Sequence, residues 1–125
     1  MNPQEPGAHP PHHPDDVKHY PKDAVIYRAG DPGHTMFVLI RGQVEVRQGE
    51  RVMDVVQSGG IFGELGVIDP GQRSTSATAV GASDVLEIDE QQFLKLVQTT
   101  PFFALKLLRV LTARLRRQQH AQDAV

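Results

Sequence analysis

Residues 61–79 read IFGELGVIDPGQRSTSATA. Gly63 lets the backbone approach a ligand with no Cβ in the way. Residues 64–68 are long enough for one or two helical turns, whose first N–H groups find no partner within the helix and suit an anion. Pro70 and Gly71 predict a tight turn, with Pro pre-setting φ and Gly accepting a positive φ. That turn brings Arg73 back over the helix start. Arg73 carries a planar fork of donors matched to phosphate oxygens, and Ser74, Thr75 and Ser76 place hydroxyls beside it. Glu64 only accepts when ionised, so it repels a phosphate but holds a sugar hydroxyl. Arginine for phosphate and glutamate for hydroxyl fit a nucleotide or sugar phosphate better than a bare anion. The plainer alternative makes Phe62, Leu65, Val67 and Ile68 core, with Glu64 at a helix start and Arg73 in solvent.

Upstream of this stretch the pattern is β-rich. Residues 24–27 predict a strand, closed by the turn signal Ala29-Gly30-Asp31-Pro32-Gly33. Residues 36–40 are a continuous apolar run of strand length. Residues 43–48 alternate apolar and polar, as a half-buried strand does. Gln48-Gly49-Glu50 reads as a hairpin connection into a returning strand over 51–57. Downstream, residues 74–80 are small and β-branched, and 84–89 alternate again. Short strands at regular spacing with glycine turns predict a mainly β fold of the jelly-roll or β-roll type.

The period then changes. Asp89 with Gln92 three residues on predicts a capping box and a short helix over 90–97. Thr100-Pro101 predicts a cap and a proline at the first position of a longer helix, over 101–118. On it, Ala104, Leu105, Leu108, Leu111, Thr112 and Leu115 form one stripe at helical spacing. Phe103, Leu107 and Val110 widen it on a second side. Arg114, Arg116 and Arg117 fall in the last turns, where they complement the helix dipole on a solvated face.

Residues 1–20 read as a disordered Pro- and His-rich tail, since proline blocks helix and ladder alike and apolar residues are few. His9, His12, His13 and His19 lack regular ligand spacing, so the tail reads as solvated rather than metal-binding. The domain is expected over 21–118, with 119–125 as a flexible C-terminus. A chain of 125 residues suits one domain. A formal net charge of −2 argues against a nucleic-acid or membrane-surface binder. No apolar run approaches the about 18 residues of a membrane span, and no signal pattern opens the chain. Having no cysteine, the chain offers neither disulfides nor thiol chemistry, which is compatible with the cytoplasmic location we expect.

The stretch FGELGVIDPGQRSTSATA resembles the phosphate-binding cassette of the cyclic nucleotide-binding domain family, which includes bacterial catabolite activator proteins and protein kinase regulatory subunits. A second stretch, IYRAGDPGHTMFVLIRGQVEV, resembles the early strands of that family, with Gly30, Gly33 and Gly42 at its glycine positions. The resemblance covers residues 24–115 and implies a cAMP or cGMP ligand with no cofactor or metal. It implies that Glu64 binds the ribose 2′-hydroxyl, that Arg73 binds the cyclic phosphate, and that Ser74 gives a hydroxyl to phosphate or purine. Phe62, Gly63, Leu65 and Thr75 complete the expected site, with Thr112 on the last helix as a base contact. Two positions depart from the family pattern: Gln72 stands where proline is frequent, and Thr75 where alanine is usual. Bacterial regulators similar to this domain carry a DNA-binding domain after the long helix; here only residues 119–125 follow. The expectation is a non-catalytic sensor that does not itself touch nucleic acid. Its last helix is expected to pair with a twin or partner protein, or to fold over the nucleotide.

Two other readings differ in class. One is an interaction module of the same fold that no longer binds a ligand, which Gln72 and Thr75 leave open. The other is a small metal-dependent enzyme of the cupin type. That reading needs clustered ligands, whereas the predicted barrel contains only His34, expected at the surface.

Overall fold

The computed structural model describes residues 10, 12–68 and 70–123, with side chains through residue 117. The apolar run in its middle explains the architecture. Strand β4 (Thr35–Arg41) is buried along most of its length because both its faces are covered. Phe37 and Leu39 point to one side and join Tyr27, Val44, Val46, Val56, Phe62, Ala77 and Val85 in an inner core. Met36 and Val38 point to the other and join Ile61, Val67, Leu86, Ile88, Leu96, Phe103 and Leu107. Alternation of side chains along a strand makes these two layers from one unbroken run.

The inner core lies between two four-stranded sheets. The first has the order β1 (Val17–Tyr20), β10 (Ser83–Asp89), β4, β7 (Ile61–Phe62). The second has the order β2 (Val25–Tyr27), β9 (Ser76–Ala79), β5 (Val44–Gln48), β6 (Arg51–Val56). A two-stranded ribbon pairs β3 (Pro32–Gly33) with β8 (Gly71–Gln72). All pairings are antiparallel. This is the expected jelly roll, with helices packed on the outside of the first sheet.

Helix α2 (Glu90–Thr99) starts as the sequence predicts. Asp89 accepts from the Gln92 backbone at 2.9 Å, and the Gln92 side chain accepts from the Asp89 backbone at 2.9 Å. Helix α3 opens at Pro101 and runs to Asp123, past the predicted end near residue 118. Its packing shows which of the two stripes faces the sheet. Phe103 and Leu107 are buried, whereas Leu105, Leu108 and Leu115 of the first stripe are exposed. Both stripes are apolar, so periodicity places them on the helix without saying which one the sheet receives.

Residues 14–20 depart from the tail expectation. Residues 14–16 form a 3₁₀ turn and 17–20 form β1, which pairs with β10 from Val17 opposite Leu86 to Tyr20 opposite Ser83. Side-chain contacts support this strand: Lys18 Nζ pairs with Glu87 at 2.6 Å, and His19 Nδ1 lies within hydrogen-bond distance of Asp84 at 2.6 Å. Residues 1–9, 11, 69, 124 and 125 lie outside the described residues.

Candidate functional site

Glu64 is positioned by a tight change of direction between β7 and α1 (Leu65–Ile68), a single helical turn. Gly63 makes that change at φ +66°, a conformation that costs a side chain. A Cβ on Gly63 would also come within 3.0 Å of the Phe37 ring. The β3–β8 ribbon then delivers Arg73 beside Gly33 and Gly66. Both glycines are needed for close approach: a Cβ on Gly66 would lie 2.6 Å from Arg73 Nη1, and one on Gly33 would lie 2.7 Å from Arg73 Cδ.

Arg73 is only partly exposed. Its Nη1 donates to the Gly63 carbonyl at 2.8 Å, and its Nη2 donates to the Thr35 carbonyl at 2.8 Å and to Thr35 Oγ1 at 3.3 Å. The guanidinium lies 4.6 Å from the Tyr27 ring centroid and 5.5 Å from that of Phe37. Tyr27, Phe37 and Phe62 themselves stack, with 5.1 Å between the last two ring centroids. Burial pushes the guanidinium below its ordinary value, opposed by Tyr27, Glu87 and Asp31. Among the described residues no carboxylate comes within 4.0 Å of Arg73 to form an ion pair. A half-buried cation is thus fixed by carbonyls and rings while its charge stays available to an anion.

Glu64 is 4% exposed. One oxygen, Oε1, accepts from Arg114 Nη1 of α3, while Oε2 is buried without a hydrogen-bond partner among the described residues. Arg114 also donates to Asp54 of β6, at 3.0 Å through Nη2 and 3.3 Å through Nε, and to the Ile61 carbonyl at 3.0 Å. Arg117, one turn on, reaches Asp54 at 3.4 Å. An unpaired buried acceptor is costly, so Oε2 marks a place where a donor belongs.

These groups share one cavity of about 530 Å³, within the usual range for a small-molecule site. Of the residues expected from the sequence, Phe62, Gly63, Glu64, Leu65, Arg73, Ser74 and Thr75 all line it. Thr112 does not: it is exposed, and its hydroxyl donates to the Leu108 carbonyl at 2.8 Å. Thr75 Oγ1 sits 3.4 Å from the Tyr27 hydroxyl rather than standing free in the cavity. Arg114 is a correction. It does not lie on a solvated helix face but folds onto Glu64 and Asp54, with 22% of its side chain exposed. Asp54 and Arg117 join the lining without having been expected there. The remainder of the wall comes from Val46, Gln48, Arg51, Val52 and Met53 on the β5–β6 hairpin, together with Tyr27, Gly66, Gly71 and Gln72. His34 is exposed, and among the described residues no three His, Cys, Asp or Glu side chains gather as a metal site would require.

A jelly roll with an arginine and a buried glutamate meeting over one cavity defines a class of small-molecule binding domains. The chain belongs to the cyclic nucleotide-binding domain family, whose profile matches residues 17–100. Among curated proteins it is similar to the CRP-like cAMP-activated global transcriptional regulator of Mycobacterium tuberculosis, with 29% identity over 103 residues, covering 78% of this chain and 46% of that protein. It is 31% identical over 102 residues to the cyclic AMP receptor protein of Thermus thermophilus, covering 78% of this chain and 47% of that protein. The crystal structure of the Thermus thermophilus catabolite activator protein superposes with a TM-score of 0.76 at 29% identity, covering 86% of this chain and 53% of that one. The chain therefore spans about half the length of these bacterial relatives. Among the described residues no helix is long and apolar enough to cross a membrane.

Proposed function

We propose that this chain is a non-catalytic sensor module that binds a cyclic nucleotide in the cavity between Arg73 and Glu64. The observation that carries the reading is the pairing of two unmet demands on one wall: a half-buried guanidinium with no ion-pair partner among the described residues, and a buried carboxylate oxygen with no donor. A cyclic phosphate answers the first and a ribose 2′-hydroxyl answers the second. Ser74 adds a hydroxyl at the phosphate end, and the base extends along the β5–β6 hairpin toward Asp54. The contact of Thr75 with the Tyr27 hydroxyl supports retention of the ligand, because the larger side chain has a partner in the cavity wall.

The bacterial relatives are described as cAMP-activated or cAMP receptors, which favours cAMP over cGMP. Output passes through the exposed face of α3, to a second copy or a partner protein, in a cytoplasmic setting. Calorimetric competition between cAMP, cGMP and 2′-deoxy-cAMP tests the reading. Expected are tightest binding of cAMP and a loss of tenfold or so for the deoxy form, since the buried Glu64 oxygen then stays unpaired. Absence of binding by all three compounds would leave the chain as an interaction module of the same fold.

A further inference from the structure

Glu87 lies outside the cavity lining, on β10, yet it is joined to Arg73 by a short chain of hydrogen bonds. Arg73 Nη2 donates to Thr35 Oγ1 at 3.3 Å. Thr35 Oγ1 lies 2.8 Å from Glu87 Oε2. Lys18 Nζ of β1 donates to the other oxygen, Oε1, at 2.6 Å. The direction of this chain is forced. A guanidinium cannot accept and an ionised carboxylate cannot donate, so the single proton of the Thr35 hydroxyl must point to Glu87 and its lone pair to Arg73. Thr35 is 8% exposed, which keeps water from offering the hydroxyl a competing partner.

We infer that Glu87, acting through Thr35, is a positioning residue for Arg73: it holds the guanidinium in the orientation that receives the cyclic phosphate, and Lys18 fixes Glu87 in turn. The inference rests on the proposed cyclic nucleotide reading. A buried cation needs compensation, but a carboxylate in direct contact with Arg73 would occupy the donors that the phosphate requires. Placing the carboxylate one hydroxyl away supplies negative potential and leaves the cavity side of the guanidinium free of it. Burial pushes the Glu87 carboxyl up, but hydrogen bonds from Lys18 and Thr35 outweigh it and hold the group below the usual carboxylate range. It is therefore ionised at neutral pH. The arrangement also ties β1 to the ligand site, because Lys18 belongs to that strand.

The test uses the full chain with three substitutions, Thr35→Val, Thr35→Ser and Glu87→Gln. Two quantities are measured: cAMP affinity by calorimetry, and the Arg73 side-chain Nε–H signal by NMR without nucleotide. Thr35→Val removes the bridging hydroxyl and is expected to weaken cAMP by about fivefold, the worth of one net hydrogen bond. Thr35→Ser keeps the hydroxyl and is expected to restore the affinity. Glu87→Gln is expected to weaken binding in the native background but to add nothing in an Arg73→Lys background, where the fork is gone. A purely structural role for Glu87 would instead give the same loss in both backgrounds, and that result would overturn the inference. The NMR signal makes the two readings separable. If the unaltered chain binds no cyclic nucleotide, the functional reading falls, and the Arg73 signal alone decides. A faster-exchanging or shifted signal in Thr35→Val and Glu87→Gln supports the positioning role, and an unchanged signal in both refutes it.

Discussion

Arg114 donates to Glu64 from a point 50 residues further along the chain, and so fastens the final helix to the wall of the ligand cavity. Both groups are sheltered, with 22% and 5% of their side chains exposed. Removing one partner of such a pair strands the other. Arg114→Ala is therefore expected to destabilise the fold by about 3 kcal/mol, because Glu64 is left as an uncompensated buried charge. Adding Glu64→Gln should recover part of that loss. Chemical denaturation of the single and double variants checks it. If Arg114→Ala alone leaves stability unchanged, the ion pair does not hold α3.

That contact shows where reading the sequence stops. Most strands, the capping box at Asp89 and the part of the cavity wall over 62–65 and 73–75 are legible because each depends on local chemistry: alternation, a side chain three residues from its cap, a glycine before a carboxylate. Arg114 is not legible in the same way. A basic residue in the last turns of a helix satisfies the dipole in any context, and only the placement of α3 against β6 turns it toward Glu64 and Asp54. Strand β1 was hidden for a related reason. Its central residues Lys18 and His19 are polar, and their partners Glu87 and Asp84 lie 69 and 65 residues away. The fold class survives such omissions because it rests on many alternating segments. Site residues that depend on one long-range contact do not.

Gly66 gives a prediction about shape. A Cβ there would lie 2.6 Å from Arg73 Nη1 and would press against the Thr35 carbonyl oxygen, which is backbone and cannot swing aside. Gly66→Ala should cost about 1–3 kcal/mol of stability, in the range for overpacking. It should also weaken cyclic nucleotide binding by displacing the guanidinium. Gly81→Ala is the control, since nothing lies within 4 Å of a Cβ at that position and it lies outside the cavity lining. Equal effects of the two substitutions would show that crowding of Arg73 is not the cause.

Acid stability should depend on the edge where β1 meets β10. Glu87 is held below its ordinary value of 4.5, with hydrogen bonds from Lys18 and Thr35 outweighing the opposing effect of burial. Asp84 is held below 3.8, first by its hydrogen bond with His19 and further by Arg41, against burial. A carboxylate depressed in the folded state contributes stability that is present above its unfolded pKa and lost as pH falls through its folded pKa. Thermal midpoints should therefore be level from neutral pH down to about pH 5 and fall below about pH 4. Glu87→Gln should flatten the acid limb by removing one of the two titrating groups. An acid limb unchanged in Glu87→Gln would assign the loss to other carboxylates.

Ligand binding is expected to be felt on α3. This helix buries Phe103 and Leu107 against the first sheet but exposes Phe102, Leu105, Leu108 and Leu115, at 55%, 39%, 60% and 61%. Helix α2 packs beside it, with the rings of Phe93 and Phe103 meeting edge to face at 6.2 Å, yet it leaves these exposed residues uncovered. A contiguous exposed apolar strip is usually an interface. The same helix carries Arg114, which shares Glu64 with the ligand under the proposed reading. A ribose hydroxyl that donates to Glu64 changes the electrostatic demand on Arg114, so the ligand must prefer some arrangements of α3 over others. Amide hydrogen exchange across residues 101–117 is therefore expected to change on saturation with cAMP, most strongly around Arg114, while protection in β4 and β10 stays constant. Repeating the measurement with Arg114→Lys, which keeps the charge but loses the fork, should reduce the change. Identical exchange in the free and saturated protein would make α3 a fixed part of the core, and any signal would have to leave the cavity by the β5–β6 hairpin instead.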